Sequence, residues 1–238
     1  MQKYEKARRL KNSIGRIREN YLKQMNSNDR LDNQIGVCTY LIDKLALRVG
    51  NEKGEDEADT VGCCSLRCEH IRFDGDNNIT LDFLGKDSMR YLNTIEVEPK
   101  VYELLEKFSV AKQPGDDIFD MVSASKLNEQ LKESMEDLSA KVFRTYNASI
   151  TLQNELAKSE IDPEKDTVET KVKFYEDCNR KVAILCNHQK SVPKTHEESM
   201  AKARQLIVEK QDKMKKLEQL HKAFKSGKEL KGFLKTLS

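Results

Sequence analysis

Residues 68–99, CEHIRFDGDNNITLDFLGKDSMRYLNTIEVEP, change the period of the chain. On either side, apolar residues recur every three or four positions, as helices require. Within the stretch, β-branched and aromatic residues gather into three short runs: CEHIRF, NITLDFL and RYLNTIEV. Runs of that length and composition read as strands. DGDNN joins the first pair and GKDS the second, and both are turn-forming, so an antiparallel meander is expected over 65–98. Glu98-Pro99 ends it, because the residue before a proline is pushed out of the helical region and the next element starts afresh.

Outward from the meander the chain is helical. Residues 2–25 read as a basic helix, broken by NSNDRLDN. Residues 33–49, NQIGVCTYLIDKLALRV, read as a strongly apolar helix, followed by the acidic loop GNEKGEDEADT. Beyond the meander, helices are expected at 99–111, 124–138, 139–158 and 166–189, with SEIDPEKD as a loop and the last helix stopped before Pro193. The tail, 195–225, carries a narrow seam of Met200, Ala203, Ile207, Met214, Leu217 and Phe224 amid dense charge, as in half of a helical hairpin or coiled coil. The final SGKELKGFLKTLS reads as a frayed end. The expected fold class is mainly α with a small three-stranded antiparallel sheet. Residues 1–194 form one subdomain, and 195–238 form a linker with a coiled-coil-like helix.

The composition of the 238 residues narrows the function. Hydrophobic content is 37% and charged content 34%, which suits long solvated helices. No apolar run approaches the ~18 residues of a membrane span, and MQKYEKARRLKN is not a signal peptide. An intracellular protein with no membrane partner is expected. The net charge of +2 is unevenly spread: residues 1–30 carry net +6, residues 190–238 net +7, and the middle net −11. Basic ends on an acidic body suggest contact with a polyanion; the alternative is a pair of solvated helix faces. Of the six cysteines, Cys63, Cys64 and Cys68 lie near His70. Their spacing matches no zinc finger, so buried thiols and no metal are expected.

Four cationic side chains stand out. On a helical wheel at about 100° per residue, Arg48 falls inside the apolar stripe of Val37, Leu41 and Leu45. A guanidinium there needs a partner. That partner is either an anionic ligand or an acid of the neighbouring loop. Lys86 sits at the tip of the second hairpin, where most lysines are merely solvated. Arg144, in LSAKVFRTYNASITL (138–152), has alanine one turn before it (Ala140) and one turn after it (Ala148). Small neighbours clear space for an arginine that must reach a crowded anion. His188, in CNHQK, closes the helix 166–189, where a helix C-terminus favours its charged form; the alternative is a surface histidine.

Arginine, lysine on a hairpin, arginine and histidine, in that order, resemble the active site of the tyrosine-nucleophile DNA strand transferases. The flanking stretches YLIDKLALRVGNEK, EADTVGCCSLRCEHI, LDFLGKDSMRY, AKVFRTYNASITLQ and AILCNHQK are similar to the catalytic core of eukaryotic-type DNA topoisomerase I, type IB. The resemblance runs from the first residues to about residue 200. It implies a nuclear protein acting on double-stranded DNA through a 3′-phosphotyrosyl intermediate, with no metal or nucleotide cofactor. It assigns Arg48, Arg144 and His188 to the non-bridging phosphate oxygens and Lys86 to protonation of the leaving 5′-oxygen. Asp87 falls near the cleavage site, and Asn51, Lys53 and Lys141 are further phosphate contacts.

One part of that machinery has no match. The family's tyrosine follows the linker in a Ser-Lys-x-x-Tyr motif, whereas no tyrosine here follows Tyr175. Ser125-Lys126-Leu127-Asn128 imitates the motif, but Glu129 stands at the tyrosine position, and the stretch precedes Arg144 and His188. Three readings stay open: a piece of a longer topoisomerase, one chain of a two-chain enzyme whose tyrosine lies on a separate subunit, or an inactive duplex-binding module. A helical scaffold that binds partner helices is the alternative outside the family.

Overall fold

The computed structural model describes residues 2–50, 59–188 and 196–225. The chain divides into two compact units, residues 1–189 and 190–238.

In the first unit, helix α1 (Gln2–Met25) buries Ala7, Leu10, Ile14, Ile17, Tyr21 and Met25. That three- and four-residue spacing makes a single stripe, and the basic residues lie outside it. The stripe packs on α2 (Arg30–Leu45), the centre of the unit, where every residue from Asn33 to Asp43 is buried. Asp29 caps α2 by accepting from the Leu31 N–H, satisfying one of the four free donors at the helix start. Asn33 turns back to donate to the carbonyls of Gln24 (2.9 Å) and Ser27 (2.9 Å), fixing the corner between the two helices.

The meander forms as expected: β1 (Ile71–Gly75), β2 (Asn78–Leu84) and β3 (Arg90–Glu96) pair antiparallel in the order β1-β2-β3. Ile79, Leu81 and Phe83 of β2 alternate into the core. Asp76 and Asn77, both with positive φ, make the tight first turn. The second hairpin closes through Gly85, whose N–H donates to the Met89 carbonyl at 2.9 Å. Phe83 stacks on its cross-strand partner Tyr91 at 5.0 Å. Helices α3 (Pro99–Ser109), α4 (Ala124–Ser134), α5 (Ala140–Leu156) and α6 (Val168–Leu185) complete the unit. α5 packs on α1, α2 and α6. In the second unit, α7 (His196–Lys225) leaves Met200, Ile207, Met214, Leu217 and Phe224 exposed.

Several boundaries differ from the sequence expectation. The apolar helix expected over 33–49 spans 30–45, because Ala46 turns left-handed at φ 50°. Arg48 therefore lies on an extended segment and not on a helical stripe. Residues 68–70 form a 3₁₀ turn in place of the start of a strand, since the His70 Nδ1 accepts the Arg67 N–H at 3.1 Å and curls the chain. The helix expected over 166–189 ends at Leu185. All six cysteines are free thiols, with Cys68 half-buried and the others buried.

Backbone hydrogen bonds hold the Arg48 segment. The carbonyls of Arg48 and Val49 accept from Cys63 and Cys64, each at 2.8 Å. Gly62 permits this approach: a Cβ there would stand 2.2 Å from the Gly50 nitrogen and 2.8 Å from the Arg48 carbonyl oxygen. Gly62→Ala is expected to cost at least ~1–3 kcal/mol, the usual penalty of overpacking. Gly15, in the middle of α1, has nothing within 4 Å of its would-be Cβ. Gly15→Ala is expected to gain ~0.5–1 kcal/mol. Urea unfolding of both variants checks the pair; a neutral Gly62→Ala would mean that the Arg48 segment is not clamped there.

Candidate active site

Three elements end at one place. α2 runs out at Leu45, α6 runs out at Leu185, and the β2–β3 hairpin turns between Gly85 and Met89. The pocket they enclose, about 220 Å³, is lined by Arg48, Lys86, Asp87, Arg144 and His188, with Phe83, Met89 and Tyr91 on its apolar side. A second cavity of about 480 Å³ shares Arg48, Lys86, Asp87 and Arg144 and adds Lys141. Residues 48, 86, 144 and 188, up to 140 positions apart in sequence, thus share one wall. Asn51 and Lys53 lie outside the described residues, as does most of the acidic loop expected as the alternative partner of Arg48.

Arg144 organises the pocket. It is half-buried on α5 and donates through Nη1 to the Ala46 carbonyl at 2.7 Å and through Nη2 to the Cys186 carbonyl. These are the C-caps of α2 and α6. The last carbonyls of a helix lack intrahelical donors and carry the negative end of its dipole. A guanidinium placed between two such ends satisfies both. Two of its five N–H groups are used this way, and Arg144 also lines the pocket. Arg48 follows Ala46 by two residues, and His188 follows Cys186 by two. The contact that seats Arg144 therefore also sets where Arg48 and His188 begin.

His188 is placed by the way α6 stops. Asn187 turns left-handed at φ 46°. Its N–H donates to Ile184 (2.9 Å) and that of His188 to Ala183 (2.8 Å), the pairing that closes a Schellman cap. Asn187 Nδ2 also donates to the Arg90 carbonyl at 3.2 Å, tying the cap to β3. Lys86 is exposed on the hairpin tip, where Asp87 (φ 61°) and Ser88 (φ 55°) are both left-handed.

The electrostatics correct one expectation. A helix C-terminus was expected to favour charged His188, but partial burial, then Arg144, then Arg48 lower its pKa below the ordinary histidine value. Burial likewise lowers the Arg144 pKa, the Cys186 thiol opposes that, and Arg48 adds to it. Asp87 lines the same pocket, but neither shift owes anything to a carboxylate of the described residues. An anion entering the pocket would relieve this repulsion. The alanines flanking Arg144 also differ from expectation. Ala140 is 2% exposed and belongs to the core, where its N–H is capped by Asn128 Oδ1 at 2.9 Å. Ala148 is half-buried. Arg144 reaches its place by spanning two helix ends.

Sequence reasoning missed both carbonyl acceptors, since any residue carries one. It also missed Tyr91, whose alternation in β3 marked it as core. Asn187 did carry a signal: asparagine tolerates the left-handed region, and at that position it marks the end of a helix.

Fold and pocket together define a mainly helical core with a small sheet and a cluster of fixed cations suited to an oxyanion. The model of the eukaryotic DNA topoisomerase I catalytic core matches residues 1–221. The chain is 51% identical over 216 residues to DNA topoisomerase 1 beta of Arabidopsis thaliana, covering 91% of this chain and 23% of that protein. It is 52% identical over 221 residues to DNA topoisomerase 1 of Drosophila melanogaster, covering 91% and 22%. It is 53% identical over 205 residues to the mitochondrial DNA topoisomerase I of Rattus norvegicus, covering 84% and 34%. The chain belongs to the eukaryotic DNA topoisomerase I catalytic-core family. It spans about a quarter to a third of the length of these relatives.

Arg144→Lys replaces a fork by a point donor that cannot reach both helix ends. It is expected to lower stability by ~2 kcal/mol, the scale of one hydrogen bond to a charged group, read from denaturant midpoints. In an NMR titration His188 is expected to protonate below the ordinary histidine range. Its midpoint should rise when inorganic phosphate is added and also in Arg48→Ala. An unmoved midpoint would show that the cations do not share one field.

Proposed function

We propose that this chain is the cation-bearing part of a type IB DNA topoisomerase, which cleaves and rejoins one strand of duplex DNA to relax supercoils. The observation that carries this reading is the convergence of Arg48, Lys86, Arg144 and His188 on one pocket. A tyrosine oxygen attacks the phosphorus, the phosphorus–O5′ bond breaks, and a 3′-phosphotyrosyl link and a free 5′-hydroxyl result. Religation runs the same steps backwards. Negative charge peaks on the non-bridging oxygens in the transition state, so fixed donors aimed there supply most of the rate gain. Arg48 and Arg144 present planar forks to those oxygens, and His188 adds a third donor. Lys86, exposed on its hairpin tip, gives its proton to the leaving 5′-oxygen. Asp87 lies beside it, while Lys141 and the loop residues Asn51 and Lys53 contact neighbouring phosphates.

The nucleophile comes from elsewhere. Tyr91 is the one phenol among the described pocket residues. It is buried, stacked on Phe83, and receives a hydrogen bond from Asn93 Nδ2 at 3.3 Å. Burial raises its pKa, which makes the attacking phenolate harder to form. The tyrosine is therefore assigned to a further segment of a longer chain or to a separate subunit, and the protein to the nucleus. An inactive duplex-binding module is the second reading, favoured only by the missing tyrosine.

Alone, the chain is expected to bind duplex DNA without relaxing it. The logarithm of the affinity should fall with that of salt concentration at ~0.9 per phosphate contact, and a flat response would overturn the DNA reading. Supplied with a tyrosine-bearing segment, it should cleave. Lys86→Ala should then slow cleavage ~10²–10⁴-fold. A substrate with sulfur in place of the scissile 5′-oxygen needs no proton to leave. It should restore Lys86→Ala but not Arg144→Ala. Equal rescue of both, or of neither, would remove Lys86 from the role of acid.

A further inference from the structure

We propose that Asp43 and Asn147 are positioning residues for the cation pocket, locking the end of α2 so that Arg144 and Arg48 meet the same anion. Neither lines the pocket, and the catalytic half of this inference rests on the function proposed above. The Asp43 side chain has no exposed surface. Arg18 grips its carboxylate from α1 with Nε at 2.9 Å and Nη2 at 3.2 Å, and the Tyr21 hydroxyl donates at 3.1 Å. Arg18 is raised in pKa chiefly by this hydrogen bonding. From α5, Asn147 donates through Nδ2 to the backbone carbonyl of the same residue, Asp43.

The placement is informative. Burying an ion pair rarely adds net stability over packed apolar side chains. Here the Asp43 carboxylate is fully buried while the Arg18 side chain stays 39% exposed, so the charge taken into the core needs a reason other than stability, and register is the best attested. Asp43 lies in the last turn of α2, three residues before Ala46. A helix leaves its last four carbonyls without intrahelical donors. α5 takes two of them, Asp43 with Asn147 and Ala46 with Arg144. Asn147 and Arg144 are three residues apart and so stand on one face of α5. They form a two-pronged clamp on the C-terminus of α2, while Arg18 and Tyr21 hold the Asp43 side chain of the same turn. With that turn fixed in rotation and height, the left-handed step at Ala46 carries the chain to Arg48 in one place only.

Two readouts test this. The first uses the chain as it is. Hydrogen exchange of the Arg144 guanidinium, followed by ¹⁵N NMR, should be slow and should quicken about tenfold, the weight of one hydrogen bond, in Asn147→Leu. The second uses the chain with a tyrosine-bearing segment. Asn147→Leu should slow single-turnover cleavage on the order of 10²-fold through misplacement, leaving duplex affinity unchanged. In an Arg48→Ala background the same substitution should cost clearly less than in the wild type, because part of its effect passes through Arg48; a merely structural residue would cost the same in both backgrounds. Tyr21→Phe, a milder change, should move both readouts in the same direction and serves where Asn147→Leu does not fold. Unchanged exchange, or additive losses in the cycle, would overturn the proposal. A wild-type assembly that does not cleave overturns the proposed function and the catalytic half of this inference, while the guanidinium signal still decides the clamp.

Discussion

The Arg144 guanidinium, seated between the C-terminal carbonyls of α2 and α6, is the contact on which the rest of the pocket depends. A charged fork takes up two sets of orphan acceptors in one step, and the two helix dipoles it faces favour its charge. The extended segment carrying Arg48 and the cap carrying His188 both leave from the residues that Arg144 holds. One guanidinium thus converts two helix endings, 140 residues apart in sequence, into neighbours.

This arrangement sets like charges side by side. Burial first, then Arg144 and Arg48, lower the pKa of His188, and Arg48 adds to the burial that lowers that of Arg144. The scaffold meets the cost with rigid backbone features. The Gly50–Gly62 contact holds the Arg48 segment, the Asn187 cap holds His188, and the Phe83–Tyr91 stack stiffens the hairpin that presents Lys86. A site whose cations leave from fixed backbone has less left to reorganise when charge builds on a phosphate. The buried Asp43 network fits the same pattern, since it places polar groups where apolar ones would pack as well.

Much of the fold was legible in the sequence because it follows from local periodicity. α1 and β2 have the bounds that their patterns imply, and the sheet is the meander its turns foretell. The failures cluster at helix ends. The apolar pattern of 33–49 continues through Leu47 and Val49, because those side chains face the core in the extended segment as they would on a helix. Periodicity does not distinguish the two, and the left-handed step at Ala46 has no glycine or asparagine to announce it. Asn187 does announce its cap, two residues before the helix was expected to stop.

The sequence alone determined the class of fold, the family, and the four cationic positions in their order, since each of these is written in residue types and spacing. It could not determine that the four share a wall, which side of α5 Arg144 faces, or what holds it. Those depend on carbonyl oxygens that every residue possesses and on backbone turns set by distant packing. Only the folded chain brings Ala46 and Cys186 within reach of one side chain, because a hydrogen bond acts over about 3 Å and is blind to sequence separation.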